Sequence, residues 1–193
     1  MVAPGEGEFI IAGLLDIPFI FDLIFDVSFS GSFSDAYLKR KGYLHILLLL
    51  LTSLHCFAWM FKTKNRELLQ CVKQDKPVGF IQIESTINSH GQLRHYIMTC
   101  AIAPTHRGNR YGREMIELLI GRARAGTLIC GVCTKYARAM QHTFKGLHFI
   151  RKSVGYGLDE YSYVIPDEQH TAAGRPEGAD AALVRLRQLN EAA

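Results

Sequence analysis

The stretch "MTCAIAPTHRGNRYGREMIELLIGRAR", residues 98–124, decides how this chain is read. An apolar, β-branched run meets Pro104 and crosses the knot "HRGNRYGR". It ends in an amphipathic pattern in which Met115, Leu118, Leu119 and Arg122 step round a helix. Three arginines and two glycines therefore stand where a strand turns into a helix. A helix N-terminus offers unpaired N–H groups and a partial positive charge, so phosphate oxygens bind there readily. Glycine lets a ligand approach the backbone closely. The plain alternative is a βα turn with glycines for geometry and arginines for solubility, and this stretch alone leaves both open.

Outward from the knot, the pattern extends in both directions. "EFIIAGLL" (8–15) reads as a first strand, with Asp16 as N-cap and Pro18 in the first turn of a helix. A second helix is expected from about 35 toward 56–60. "RELLQCVKQDKPVGFIQIEST" reads as a β-hairpin, and "LRHYIMTCAIA" as a long strand ended by Pro104. After the knot helix come the strand "TLICGVC", the helix "YARAMQHTFKGL" and the strand pair in "FIRKSVGYGLDEYSYVI". The order β-α-α-β-β-β-α-β-α-β-β predicts an α+β fold, a mixed sheet with helices on its faces. After Pro166 the composition turns polar. Residues 1–166 are expected to form one domain, and 167–193 a linker with a short terminal helix.

Composition narrows the function classes. The chain has 193 residues, 48% of them hydrophobic, and a net charge of +4. That is enough for one full core. It is too mildly charged for a nucleic-acid binder, so no such partner is expected. Five cysteines do not suggest a disulfide framework and point to a reducing, cytoplasmic setting. Cys130 and Cys133 match C-x-x-C, but on a strand residues three apart face opposite ways, so no shared metal is expected. No secretory leader is recognisable at the N-terminus. The segment "YLHILLLLLTSLHCFAWMF" (43–61) has nearly the length of a membrane span. His45, Thr52 and Cys56 form a less apolar stripe along it, which favours a buried helix or one that seats a partner or second copy.

The element order, with the knot after the long central strand, resembles the GNAT superfamily of acyl-CoA N-acyltransferases over roughly residues 8–165. "FIIAGLLDIPFIFDLI" is similar to the family's opening strand and first helix. "CAIAPTHRGNRYG" resembles its acetyl-CoA motif, Arg or Gln, two residues, Gly, one residue, then Gly or Ala. "ARAMQHTFKGLHF" resembles its later helix. The resemblance implies acetyl-CoA as cosubstrate and no metal. Pyrophosphate would lie on the backbone N–H groups of Arg107, Gly108, Asn109, Arg110, Tyr111 and Gly112, with Arg113 opening the helix. The pantetheine arm would pair with Cys100, Ala101 and Ile102 where two middle strands splay, and free N–H groups there would stabilise an oxyanion.

The chain also departs from that pattern. The motif's central glycine is Arg110, which implies weaker cofactor affinity. The position of a frequent tyrosine acid is Phe144, also expected against the cofactor, and that of an asparagine holding pantetheine is Ala137. Two common glutamate positions fall at Tyr96 and near Val132. Glu84, His95 and His142 remain as candidate bases, a histidine being suited by its near-neutral pKa. Tyr136, Tyr156, Tyr161 and Tyr163 remain as alternative acids. The reading is an N-acetyltransferase acting on an amine, small or protein-borne. The alternative is a weak or inactive member of the same fold serving binding or assembly, in a larger complex or a virus particle.

Overall fold

The computed structural model describes residues 8–29 and 65–166, with Ile46, Leu50 and Leu54 as isolated helical positions. Most of the expected second helix, Cys56 and the tail from 167 lie outside the described residues. The elements are β1 (Glu8–Ile11), α1 (Ile17–Phe29), β2 (Arg66–Lys73), β3 (Lys76–Ile87), β4 (Leu93–Ile102), α2 (Tyr111–Arg122), β5 (Leu128–Thr134), α3 (Arg138–Gly146), β6 (Ile150–Gly155) and β7 (Leu158–Val164). The strands form one sheet in the order β1-β2-β3-β4-β5-β7-β6. Every neighbouring pair is antiparallel except β4 and β5. This is the α+β architecture expected from the element order.

Local chemistry sets most boundaries. The β2–β3 turn places Gln74 and Asp75 at φ values of 50° and 60°, as a two-residue hairpin matched to strand twist requires. The first strand is shorter than expected and ends at Ile11. Asp16 does not cap α1 from outside. Its Oδ2 accepts the Gly13 N–H at 2.7 Å and closes a 3-10 turn over Leu14–Asp16 that leads into the helix. Pro18 then sits in the first turn of α1, where a missing N–H costs nothing.

The sheet is packed on both faces. Tyr111, Met115, Ile116 and Leu119 of α2 and Phe144 of α3 meet Ile81, Ile83, Ile97, Ile129 and Tyr161 on one face. Ile20, Leu23, Ile24 and Val27 of α1 meet Leu68, Phe80 and Ala101 on the other. Cys133 joins the α2–α3 core. Cys130 belongs to the opposite face, as strand alternation requires. No described helix is long and apolar enough to cross a membrane. Of the segment 43–61, the described Ile46, Leu50 and Leu54 are helical, four residues apart and exposed.

Gly79 on β3 marks the closest approach of β3 to the end of β4. A Cβ there would lie 2.6 Å from the Ala101 carbonyl oxygen and 2.5 Å from Ile102 Cδ1. The carbonyl belongs to the paired backbone and cannot swing aside. Gly79→Ala is expected to destabilise the fold by about 1–3 kcal/mol. Urea unfolding measures it, and a loss indistinguishable from zero would refute this account of β3–β4 packing.

Candidate functional site

The site begins with a bulge. β3 pairs Gln82 with Thr99 and Ile83 with Ile97, which leaves Met98 as an extra residue in β4. A bulge bends its strand and resets its alternation. Ile97, Cys100 and Ile102 consequently all side with the α2–α3 core, although Ile97 and Cys100 are three apart. On its other edge β4 pairs with β5 only from Arg94 to Ile97, the last partner being Gly131. Beyond that point β4 stays with β3 and β5 stays with β7, so the two middle strands part.

The parted edge of β4 carries free polar backbone. The Ala103 N–H donates to Val78 O at 2.9 Å, on the β3 side. Successive N–H groups of a strand point to opposite edges, so those of Ile102 and Cys100 point into the fork and that of Ala101 points to β3. The fork is floored by Phe144. A Cβ on Gly131 would lie 3.3 Å from Phe144 Cζ and 3.4 Å from Ile97. Phe144 is 1% exposed and packs on Phe149 at 4.7 Å and Tyr161 at 5.2 Å between ring centroids. It is a buried ring beneath the fork and presents no open surface to a ligand.

The knot follows directly. Gly108 at φ 84° and Arg110 at φ 65° both turn the chain through left-handed conformations. The Arg113 and Glu114 N–H groups close the first turn onto Arg110 O, at 2.8 and 3.0 Å. Those of Gly108, Asn109, Arg110, Tyr111 and Gly112 have no backbone partner among the described residues. Tyr111 is buried and pins the helix start to the sheet. Around Gly112 a Cβ would find only Ile102, at 3.8 Å, so the protein's own packing does not demand glycine there. The space beside it is open to a ligand. A row of unpaired amides at a helix N-terminus, next to a parted strand edge, suits an anion with an extended polar arm.

The arginines divide their work. Arg107 donates from Nε to Ile102 O at 3.0 Å and from Nη2 to Asp26 Oδ2 at 2.6 Å, tying the knot to β4 and to α1. Arg113 pairs with Glu117 at 2.8 Å. Arg110 is exposed and forms no ion pair among the described residues.

On the α1 face of the sheet, at the base of the fork, the structure brings two of the candidate catalytic residues together. Glu84 and Tyr96 are directly opposite across β3 and β4. Arg66 Nε holds Glu84 Oε1 at 3.0 Å. Tyr96 is half-buried, and burial, with the nearby Cys130 adding to it, raises its phenol pKa. The phenol keeps its proton at neutral pH, which makes it a donor and unfit as a base. Sequence reasoning missed two neighbours. Glu160 lies directly opposite Val132, supplying a carboxylate beside the position where the sequence lacks one. Arg94 binds Glu160 at 3.2 Å and Cys130 Sγ at 2.9 Å, and covers the Tyr96 ring at 5.2 Å. Only the strand register reveals this cluster.

The remaining candidates lie elsewhere. His142 is exposed on α3, two residues before the buried Phe144, on the side away from the sheet. His95 alternates with Tyr96 and faces the α2 side, its Nδ1 2.8 Å from Ser85 Oγ. Tyr156 is exposed at a hairpin tip, away from the fork, and Tyr161 is wholly buried beneath it, opposite Gly131 and stacked on Phe144. The Cys71, Cys100 and Cys133 thiols are pushed up to about 12 by burial, which leaves them protonated and poor nucleophiles.

The description of a known family fits this arrangement. The acetyltransferase (GNAT) family model matches residues 34–156. Solved structures share the fold. YncA from Salmonella typhimurium, solved with its cofactor acetyl-CoA, is 13% identical and has a TM-score of 0.60 over 90% of this chain and 99% of its own. The PaiA N-acetyltransferase of Thermoplasma acidophilum, in complex with coenzyme A, is 7% identical with a TM-score of 0.62, covering 82% and 99%. The ribosomal-protein-alanine N-acetyltransferase of Brucella melitensis is 14% identical with a TM-score of 0.55, covering 81% and 98%. No curated protein matches the sequence.

Arg110, where the resemblance expects a glycine, adopts the left-handed conformation that glycine adopts without strain. A side chain in that region costs roughly 1–2 kcal/mol. Arg110→Gly is therefore expected to raise stability by about 0.5–1 kcal/mol after the added freedom of the unfolded chain is counted. Arg110→Ala is expected to give no such gain. Denaturant midpoints compare the two, and equal effects would show that backbone strain is not the cause.

Proposed function

The chain belongs to the acetyltransferase (GNAT) family, and from that premise we propose that it transfers an acetyl group from acetyl-CoA to an amine. The observation that carries this reading is the fork between β4 and β5 opening beside the unpaired amides of the knot. The knot amides from Gly108 to Gly112 would hold the donor's diphosphate. The fork-facing edge of β4, at Cys100 and Ile102, would pair with its pantetheine arm. The same amides suit the oxyanion that forms when the amine attacks the thioester carbonyl. Ala101 contributes its place between them, since its own N–H faces β3.

Glu84 is the base this reading favours, positioned by Arg66 and opposite Tyr96. It takes a proton from the incoming ammonium, directly or through water. The neutral amine then attacks, the carbon–nitrogen bond forms, the carbon–sulfur bond breaks, and the new amide nitrogen gives up its surplus proton to water, from which Tyr96 is reprotonated. Tyr96, which keeps its proton, is suited to protonate the departing thiolate in place of the tyrosine that Phe144 replaces. The expected result is a stabilising thermal shift with millimolar acetyl-CoA and acetylation of at least one member of a broad amine panel. Glu84→Gln and Tyr96→Phe are each expected to lower kcat about 100-fold or more, as losing a general base or acid does, while retaining the thermal shift. Absence of any shift with acetyl-CoA would refute the reading.

A second reading, assembly through the segment 43–61, is favoured by the exposed apolar stripe Ile46, Leu50 and Leu54. Size-exclusion chromatography of Leu50→Glu with Leu54→Glu tests it. A larger elution volume than the parent protein supports self-association, and an unchanged volume removes it.

A further inference from the structure

The sheet is covered unevenly. α2 and α3 pack on one face, and on the other α1 meets Leu68 of β2, Phe80 of β3 and Ala101 of β4. Past β4, the α1 side of β5, β7 and β6 carries no helix among the described residues. Side chains alternate along a strand, and Tyr161 and Tyr163 of β7 point into the α2–α3 core. Ser162 and Val164 therefore point to the open side. Ile150, which pairs with Ser162, and Leu128, which pairs with Val164, point there with them. Ile150 is 73% exposed and Val164 53%. Apolar side chains thus stand in water on a face whose other half is core.

The described chain ends beside this patch. Ile165 donates to Thr127 O and accepts from the Gly126 N–H, both at 2.9 Å, so β5 holds the chain up to Pro166. Residues 167–180, "DEQHTAAGRPEGAD", are polar and contain Gly174, Pro176 and Gly178, the composition of a flexible tether. Residues 181–193, "AALVRLRQLNEAA", are of another kind. Ala182, Leu186, Leu189 and Ala193 recur at helical spacing with Leu183 beside them, while Arg187, Gln188 and Glu191 fall opposite. Asp180 precedes them as an N-cap residue. A short helix with one apolar stripe is marginal in water and gains its stability by burying that stripe.

The dimensions agree. A tether over 167–180 spans about 20 Å on average. A helix over 181–193 is about 20 Å long, and β5 to β6 measures about 10 Å across. A second copy of the chain is the poorer occupant. A stable dimer buries about 800 Å² per partner through some 20–30 residues, and this patch offers only a few. The tethered segment faces the patch at an effective concentration in the millimolar range, so a small contact suffices to hold it.

We propose that residues 181–193 fold back as a helix onto the α1 side of β5, β7 and β6, with Leu183, Leu186 and Leu189 against Leu128, Ile150 and Val164. This docking does not depend on the protein being an acetyltransferase.

Amide NMR of the full chain, recorded at two protein concentrations, tests it with reciprocal variants. Leu186→Asp combined with Leu189→Asp is expected to shift the amides of Leu128, Ile150, Ser162 and Val164 and to leave those of α2 in place. Ile150→Asp, a change at an exposed side chain, is expected to move the amides of 182–192 to the positions they take in the tail variant. Trypsin is expected to cleave after Arg185 and Arg187 about tenfold faster in Ile150→Asp than in the parent chain, since cleavage follows the population of the released segment. Unmoved sheet amides in the tail variant overturn the proposal, as do equal cleavage rates. A response at Ile46, Leu50 and Leu54 in place of the sheet amides would assign the tail to another surface and overturn it too. Shifts that grow with protein concentration would make a second copy the occupant, with the same consequence.

Discussion

The parting of β4 from β5 is the constraint on which the rest of the site depends. A central strand inside a sheet has both edges paired, and its amides are spent on the ladder. Here β4 gives up one edge after Ile97, so the amides of Cys100 and Ile102 face the fork. Two features hold the strands apart. The Met98 bulge breaks the regular course of β4, and the Phe144 ring packs against Gly131 at the point of divergence. The open edge then runs into the knot, where α2 begins and the amides of Gly108 to Gly112 have no backbone partner among the described residues. A polar ligand long enough to reach from one to the other would satisfy both sets of donors.

Charge is arranged to support that opening without filling it. Glu84 and Glu160 are each held by an arginine, Arg66 and Arg94, so neither carboxylate is left to collapse into the fork. Tyr96 stands beside both and stays protonated through burial. Arg107 bridges Ile102 O and Asp26, which fixes the knot against α1 from the far side of the sheet. The arginines that look from sequence like a phosphate-binding cluster thus include one with a structural duty. The backbone amides, and the exposed Arg110, are what remains for an anion.

Much of the fold is legible along the chain. Alternating hydrophobicity marks β2 to β5, and the helical spacing in 111–122 marks α2, because those patterns follow from geometry within a few residues. The knot is recognisable for the same reason: glycine and the helix start are local features. Less legible are the short β1 and the role of Asp16, whose carboxylate finds the Gly13 amide once the chain has already turned. The left-handed backbone at Arg110 is hidden as well, since arginine gives no local warning of it.

The amino-acid order by itself determined the succession of elements, the strand-to-helix knot and the opposite orientation of Cys130 and Cys133. Only the tertiary structure decided which side chains share the site. The Met98 bulge shifts every later residue of β4 to the other face, and nothing in the local pattern announces that shift. Glu160 meets Arg94 from 66 positions away because β5 lies between their strands in one particular register. Phe144 disappears into the core because Gly131 leaves room for its ring. Register and packing are set by the whole sheet at once, and that is why the residues that meet at the fork cannot be read from their neighbours in sequence.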